Sequence, residues 1–133
     1  MVAGEHADDL LRVAWSVREH AYAPASGFRV GAAVRAADGR VFVGCNVENA
    51  SYGLTVCAER NAIGRMVLEG KKLRAVAIVV HSQKPTPPCG MCRQVLAEFG
   101  DPSIEVRSRN NSGMESKDTI GSLLPNAFTK DFL

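Results

Sequence analysis

The spacing of hydrophobic residues changes between a helical and a strand period along the chain, and these changes divide it into elements. The predicted helices span 7–21, 57–69, 90–99 and 119–124. The predicted strands span 28–34, 41–47, 75–80 and 104–107. Asp38 and Gly39 form a turn signal between the first two strands and predict a hairpin. The third strand is apolar throughout, as expected of a central strand.

The order of these elements predicts the fold class. A helix, a hairpin and two helix–strand units indicate an α/β protein, built as a three-layer α/β/α sandwich around a mixed sheet. The right-handed crossover rule places the two later helices on one face of the sheet, where we expect their N-termini to meet. No repeat, low-complexity tract or linker interrupts the sequence, so we expect a single domain over 1–133.

Composition and charge narrow the possible partners. Hydrophobic residues make up 46% and charged residues 23% of the 133 residues, which is typical of a globular protein. The 16 basic and 14 acidic residues give a net charge of +2, so we expect neither nucleic acid nor a membrane as a partner. The sequence has no apolar signal segment at its start, and we expect a cytoplasmic protein.

Three of the four cysteines fall at the predicted starts of helices. Cys57 begins one helix, and Cys89 and Cys92 form a C-x-x-C pair at the start of another. A step of three residues in one helical turn puts both sulfurs on one side, and the helix dipole favours thiolates. Soft thiolates select zinc over magnesium or calcium, so we expect these three residues to bind Zn²⁺. We interpret Cys45 as a small buried hydrophobic residue.

The predicted zinc site has three protein ligands. Structural zinc sites are usually closed by a fourth protein ligand, whereas catalytic sites leave one position for water. His6, His20 and His81 are each isolated in the sequence, and no spacing ties them to the cysteines. We therefore favour water in the fourth position.

Two charged residues follow Cys57 closely along the predicted helix. Glu59 projects in a different direction from Cys57, so we expect it to act on the metal-bound water as a general acid and base. The alternative is that Glu59 is a surface carboxylate that only offsets the helix dipole. Three thiolates and one Zn²⁺ carry a net charge of −1, and Arg60 is placed to donate hydrogen bonds to the sulfurs. A solvated surface arginine is the alternative for Arg60.

The segments around these residues resemble the cytidine deaminase family in its small homotetrameric form. They are Cys57-Ala58-Glu59-Arg60 and Pro88-Cys89-Gly90-Met91-Cys92-Arg93-Gln94. Further similar segments span 28–33 and 44–50, and a C-terminal motif spans 123–128. The resemblance covers about residues 22–128, which is nearly the whole chain.

The resemblance implies a five-stranded mixed sheet and a hydrolase that acts in pyrimidine salvage. In the family a zinc-bound hydroxide attacks C4 of the pyrimidine, and the glutamate carries protons to N3 and then to the leaving amine. Cytidine or deoxycytidine becomes uridine or deoxyuridine, and ammonia is released. Carried onto this sequence, Cys57, Cys89 and Cys92 are the ligands and Glu59 carries the protons.

The same resemblance assigns residues to substrate binding. Asn46 and Glu48 match the ribose-binding pair, and residues two apart on a strand face the same side, which supports the pairing independently. A polar strand end in solvent is the other interpretation. Phe28 matches the aromatic residue beside the pyrimidine ring, although a phenylalanine on a strand is more often core. Ala58 is also assigned to substrate binding.

Tyr52 and Phe128 match family residues that lie near subunit contacts and close the neighbouring subunit's pocket. A chain of this size would leave a nucleoside partly exposed, which favours pockets completed between subunits. We therefore expect a homotetramer with a small nucleoside as substrate.

Two positions depart from the family pattern. Ala25 stands where the family usually has the second tyrosine of Tyr-x-Pro-Tyr-Ser, which affects the expected local packing and substrate preference. Asn61 follows Arg60 where threonine is commoner.

Other functions remain open at this point. A deaminase of an aminonucleoside antibiotic could share the metal core, and polynucleotide editing would usually have histidine in place of Cys57. A binding module with structural zinc would need a fourth ligand. A redox protein using Cys89 and Cys92 would leave Cys57 and Glu59 without a role.

Overall fold

The computed structural model describes residues 3–70, 72–80 and 84–133. The helices in this part of the chain are α1 (Ala3–Arg18), α2 (Ala58–Leu68), α3 (Gly90–Phe99) and α4 (Ile120–Leu123). The strands are β1 (Val30–Ala36), β2 (Val41–Cys45), β3 (Leu73–Val80), β4 (Glu105–Asn110) and β5 (Glu115–Thr119). Short 3₁₀ turns occupy Tyr52–Leu54 and Lys130–Phe132.

The five strands form one mixed sheet in the order β2-β1-β3-β4-β5. Strands β3 and β4 are parallel and are joined by the crossover through α3, whereas the other neighbours pair antiparallel. Val34 of β1 lies opposite Phe42 on one side and Val76 on the other, which brings the apolar residues of three strands into one row. The mixed sheet and the five strands implied by the resemblance are confirmed.

The alternation of side chains along β1 separates the two faces of the sheet. Ala32, Val34 and Ala36 pack into a core cluster with residues of α2 and α3, which include Ile63, Met66 and Leu96. Ala33 points the other way and packs against α1 residues Leu10, Leu11 and Ala14. One helix therefore covers one face and two helices cover the other, which confirms the three-layer sandwich and the common face of the two later helices.

Several boundaries differ from the predicted ones. The first helix ends at Arg18 instead of residue 21, because the chain continues in turns whose N–H groups bond three residues back. The predicted strand over 28–34 begins at Val30, since the peptide groups of Phe28 bond side chains rather than a neighbouring strand. The predicted strand over 41–47 ends at Cys45, and Val47 instead makes isolated bridges to Tyr22 and Val56.

The hydrophobic pattern does not predict strand β5. Its sequence Glu-Ser-Lys-Asp-Thr is polar, and it forms because the Asn110 turn returns the chain antiparallel to β4. Glu115 then accepts hydrogen bonds from Arg107 and Arg109 across the pair. The short helix predicted over 119–124 is present as α4, where Thr119 and Ser122 form a capping box.

The remaining predicted elements lie close to their expected places. Strands β3 and β4 are longer than predicted, by two residues at the start of β3 and three at the end of β4. Helix α3 has the predicted bounds, and α2 begins one residue after Cys57. Residues 81–83 of the loop predicted over 81–88 lie outside the described residues. Among those described, no helix is both long and apolar enough to cross a membrane.

Helix α2 lies very close to strand β2 at Gly44. A Cβ atom at this position would lie 2.5 Å from both the carbonyl oxygen of Ala58 and the amide nitrogen of Ala62. Both atoms belong to the backbone of α2, so they cannot move without moving the helix. The absence of a side chain at Gly44 therefore sets the distance between the sheet and the first turn of α2.

We expect Gly44→Ala to displace α2 and lower the free energy of unfolding by about 1–3 kcal/mol, the usual cost of overpacking. The matched control is Gly64→Ala on the exposed side of the same helix, where an added Cβ meets no atom within 4 Å. There alanine should raise stability by about 0.5–1 kcal/mol, because glycine is the poorer helix former. Urea unfolding of both variants checks this, and equal stability of the two would contradict it.

Candidate metal centre and active site

Helices α2 and α3 each begin directly after a cysteine. Cys57 and Cys89 are the N-cap residues and have extended backbone conformations, and Cys92 lies in the first turn of α3. The two helix starts meet, with the Sγ atoms of Cys57 and Cys89 3.6 Å apart and those of Cys89 and Cys92 3.4 Å apart. All three sulfurs lie within 4.8 Å of one another. The predicted meeting of the two helix N-termini is confirmed.

This sulfur cluster fits a zinc ion. Four-coordinate zinc with Zn–S bonds of about 2.3 Å places its ligand sulfurs about 3.8 Å apart, close to the separations seen here. Cys92 is buried, Cys57 is half-buried and Cys89 is exposed, so the cluster opens to solvent on one side. Three soft donors and one open side are what a catalytic zinc site requires.

Before a metal binds, the cysteines of the cluster differ in pKa. A hydrogen bond with the Cys92 thiol, supported by Arg60 and Cys89, lowers the pKa of Cys57 to about 5. The same hydrogen bond raises the pKa of Cys92, and burial and the charge of Glu59 act in the same direction. At neutral pH and without a metal, Cys57 is therefore a thiolate that accepts a hydrogen bond from the neutral thiol of Cys92.

Arg60 contacts this thiolate. Its Nη2 atom donates to the Sγ of Cys57 at 3.8 Å and to the carbonyl oxygen of Thr55 at 3.1 Å. The hydrogen bond to Cys57 is the main reason that the pKa of Arg60 is raised. The predicted hydrogen bond from Arg60 to a cysteine sulfur is present, and the alternative of a purely solvated arginine is excluded.

Glu59 is buried beside the cluster, with 5% of its surface exposed. Burial raises the pKa of Glu59 to about 7, and the charge of Cys57 adds to the rise, while a hydrogen bond with Cys92 opposes it. A surface carboxylate that only offsets the helix dipole would be exposed, so that interpretation is wrong. The carboxyl group is poised to gain or lose a proton near neutral pH.

The remaining metal-binding side chains do not join the cluster. Among the described residues, the groups that could hold a metal ion are limited to the three cysteines. His20 is exposed at the end of α1, and His81 and the side chain of His6 lie outside what the structure describes. Cys45 also lies apart, and its carbonyl oxygen accepts a hydrogen bond from the Asn61 side chain at 2.8 Å.

A second group of predicted residues surrounds the loop between α1 and β1. The Asn46 side chain donates to the carbonyl oxygen of Phe28 at 2.7 Å and accepts from the amide of Val30 at 2.8 Å. Strand β2 ends at Cys45, but the extended chain continues through Val47, which bridges Tyr22 and Val56. Asn46 and Glu48 flank this bridged residue, and both side chains reach the same loop, as the period of two along an extended segment predicts.

Glu48 binds this loop at two consecutive residues. One carboxylate oxygen accepts from the backbone amides of Ala25 at 2.9 Å and Ser26 at 3.2 Å, and the other accepts from the Ser26 hydroxyl. The Ser26 hydroxyl is the main cause of the lowered pKa of Glu48. Ala25 takes part only through its backbone, so the loss of the usual tyrosine side chain leaves this contact intact.

The residues expected at subunit contacts are exposed. Tyr52 is 79% and Phe128 61% exposed in the single chain, and Phe28 is 40% exposed. Phe128 stacks on Phe132, with ring centroids 5.6 Å apart, and its carbonyl oxygen accepts from the Gln94 side chain at 2.8 Å. The C-terminal segment is thereby held against α3.

Sequence reasoning missed two residues that support the site. Arg93 donates to the carbonyl oxygens of Pro88 at 2.7 Å and Leu123 at 3.0 Å, which fastens the start of α3 to α4. Asn61 fastens α2 to the end of β2. Arg93 could have been suspected because it directly follows Cys92, whereas the contact of Asn61 depends on packing that no local pattern reports.

Comparison with known proteins identifies the family. Residues 5–107 match the family model described as the cytidine and deoxycytidylate deaminase zinc-binding region. The chain belongs to this deaminase family. Its cofactor is therefore zinc, which agrees with the geometry of the sulfur cluster.

Individual relatives of the family are similar over almost their whole length. A cytidine deaminase of Sporosarcina psychrophila is 43% identical over 127 residues, which cover 95% of this chain and 93% of that protein. A cytidine deaminase of Halalkalibacterium halodurans is 46% identical over 123 residues, which cover 92% and 93%. The crystal structure of cytidine deaminase from Burkholderia pseudomallei matches with a TM-score of 0.88 and 46% identity, covering 96% of this chain and 100% of that one.

Membership of the deaminase family and the geometry of the site together decide between the classes of function that the sequence left open. A redox protein based on Cys89 and Cys92 alone does not explain why Cys57 and a buried Glu59 join them. A purely structural zinc site would be closed by a fourth protein ligand, which is absent from the described residues around the cluster. The chain is thus a hydrolytic deaminase rather than a binding module.

We expect zinc binding to require Cys92 and not Cys45. Cys92→Ser should reduce the zinc content well below one ion per chain, because it removes a soft ligand from the cluster. Cys45→Ser is the matched control and should keep the wild-type content. Metal analysis of both purified variants gives the result, and full zinc in Cys92→Ser would contradict the ligand assignment.

The affinity of the metal-free protein for zinc, measured by titration, should depend on pH. Since the pKa of Cys92 is raised, the metal-free cluster holds a proton at neutral pH that zinc must displace. Apparent zinc affinity should therefore rise with pH, by about tenfold per pH unit for each proton displaced. A zinc affinity that stays constant from about pH 6 to about pH 8 would contradict this prediction, because it would show that all three thiols are already ionised.

Proposed function

We propose that this chain catalyses the hydrolytic deamination of cytidine and 2′-deoxycytidine to uridine and 2′-deoxyuridine, with release of ammonia. One observation carries the proposal: the Glu59 carboxyl group, with only 5% of the residue exposed, is buried beside three convergent cysteine sulfurs. The cytidine deaminases among its relatives, at 43% and 46% identity, support the choice of substrate.

Cys57, Cys89 and Cys92 would hold the zinc ion. Zinc bound by three protein ligands acts as a Lewis acid that lowers the pKa of a water molecule in the open position. Arg60 would reduce the negative charge of the sulfurs through its hydrogen bond to Cys57, so that the ion remains a useful Lewis acid.

Glu59 would carry the protons of the reaction. The C4–N bond of the pyrimidine breaks and a C4–O bond forms, so the two protons of water must end on N3 and on the departing amine. Glu59 would accept and donate these protons in turn, and burial, which raises the pKa of this carboxyl above its ordinary value, favours both directions. Because the carboxyl is buried, it does not exchange these protons freely with bulk water.

The loop between α1 and β1 would bind the rest of the nucleoside. Asn46 and Glu48 each keep hydrogen-bonding capacity beyond their bonds to the loop. Asn46 keeps one N–H, and Glu48 keeps one lone pair on the oxygen that the Ser26 hydroxyl binds. Together they can accept from and donate to a sugar hydroxyl. Phe28 offers an exposed ring for the pyrimidine. Ala58 is fully buried in the core cluster, so it would contribute to substrate binding only through its backbone.

We also propose a homotetramer in which neighbouring subunits complete each pocket. The exposed Tyr52 and Phe128, together with Phe28, leave apolar surface that a nucleoside alone would not cover. In this arrangement Tyr52 and Phe128 would contact the pocket of the neighbouring subunit. A cytoplasmic location and a single catalytic domain over residues 1–133 stay predictions.

We expect Glu59→Gln to lower kcat for cytidine by about 10²–10⁴-fold, because glutamine cannot carry the protons. Zinc content should stay at the wild-type level, since Glu59 lies outside the sulfur cluster. The matched control is Glu19→Gln, an exposed carboxylate in the turn directly after α1, which should leave kcat unchanged. Loss of cytidine is followed by ultraviolet absorbance, and an unchanged rate in Glu59→Gln with zinc present would overturn the mechanism.

Sedimentation of the wild-type protein tests the assembly. A mass of four chains is expected, and Tyr52→Ser should shift it toward smaller species, because it replaces an exposed aromatic ring with a small polar group. A fully active wild-type monomer would contradict the proposed tetramer.

A further inference from the structure

Ser26 lies at the centre of a hydrogen-bond network that joins Phe28, Asn46 and Glu48, which we call the Ser26 network. Its hydroxyl accepts from the amide of Phe28 at 2.9 Å and donates to Glu48. A serine hydroxyl has a single proton, so donating to the carboxylate leaves its lone pairs directed at the amide. One side chain thus touches both the residue proposed to contact the base and a residue proposed to contact the sugar.

The carboxylate of Glu48 is fixed in orientation by the same loop. The Ser26 hydroxyl holds one of its oxygens, and the backbone amides of Ala25 and Ser26 hold the other. A carboxylate bound at both oxygens cannot rotate about its terminal bond without breaking these contacts. The single remaining lone pair on the oxygen that the Ser26 hydroxyl binds therefore points in a defined direction.

The peptide groups of Phe28 are held from both sides. Its N–H bonds Ser26 and its carbonyl oxygen bonds the Asn46 side chain, so the backbone that carries the ring is fixed within the loop. Asn46 in turn bonds Val30 at the start of β1, which anchors the network to the sheet. These bonds fix the backbone of Phe28 relative to the Glu48 carboxylate.

We propose that Ser26 is a positioning residue of the nucleoside pocket, which sets the sugar-binding carboxylate in register with the base-binding ring. The inference rests on the proposed function and adds a residue to it. Ser26 lies in the loop before β1, whereas the sulfurs and Glu59 lie on α2 and α3. Its role concerns substrate binding and the discrimination of the sugar, and the chemical step depends on other residues.

The test compares Ser26→Ala with Ser26→Thr, which keeps a hydroxyl, and with Ser16→Ala. Ser16 is the control, because its hydroxyl lies on α1 and donates a local hydrogen bond to the carbonyl oxygen of Val13, outside the Ser26 network. For each protein kcat, KM and zinc content are measured with cytidine and with 2′,3′-dideoxycytidine, which lacks both ring hydroxyls of the sugar.

Ser26→Ala should raise the KM for cytidine by about 10- to 100-fold, the effect of losing a hydrogen bond to a charged group, with kcat within about twofold and zinc content unchanged. The preference for cytidine over the dideoxy analogue should narrow, because the misaligned carboxylate no longer reads the sugar. Ser26→Thr should restore most of the preference, and Ser16→Ala should match the wild type.

An unchanged KM, or an equal loss with both nucleosides, would overturn the role of Ser26, because a merely structural change would affect both substrates alike. If Ser26→Ala does not fold, Ser26→Cys carries the test: its weakly bonding thiol should raise the KM for cytidine while kcat is kept. A wild-type protein that does not deaminate cytidine would overturn the proposed function itself, so the two failures are distinguishable.

Discussion

The site depends on the convergence of two helix N-termini at one place above the sheet. The crossover from β3 brings the start of α3 to this place, and the close approach of α2 to β2 at Gly44 brings the second helix there. Both helices begin at a cysteine whose extended backbone leaves the first N–H groups free to stabilise a negative sulfur. The packing of two helices thus creates both the shape and the charge of the metal centre.

The groups at this centre determine one another's ionisation. Arg60 stabilises the Cys57 thiolate. Burial raises the pKa of Glu59 to about 7, and the charge of that thiolate adds to the rise. The charge of Glu59 in turn helps to keep the proton on Cys92. A carboxyl group in water would be almost fully ionised at neutral pH, and only its place between a buried helix start and a thiolate makes it suitable for carrying protons.

The sequence predicts the metal half of the site better than the substrate half. Cys57, Glu59 and the C-x-x-C pair follow from spacing along single helices, which is local information. The contacts of Asn46 and Glu48 depend on a loop from another part of the chain, so the period of two that pairs these residues does not show what they contact. The hydrophobic pattern does not predict strand β5 for a related reason: its polar residues are held by pairing with β4 rather than by burial.

The side chain of Asn61 connects the metal-binding and substrate-binding parts of the site by a hydrogen bond to the backbone. Its amide reaches from α2 to the carbonyl of Cys45, the residue directly before Asn46. Under the proposed function, a nucleoside bound at its sugar would present its amino group at a distance from the sugar site that this backbone connection fixes. A substrate longer or shorter than a pyrimidine nucleoside would then place a different atom at the metal.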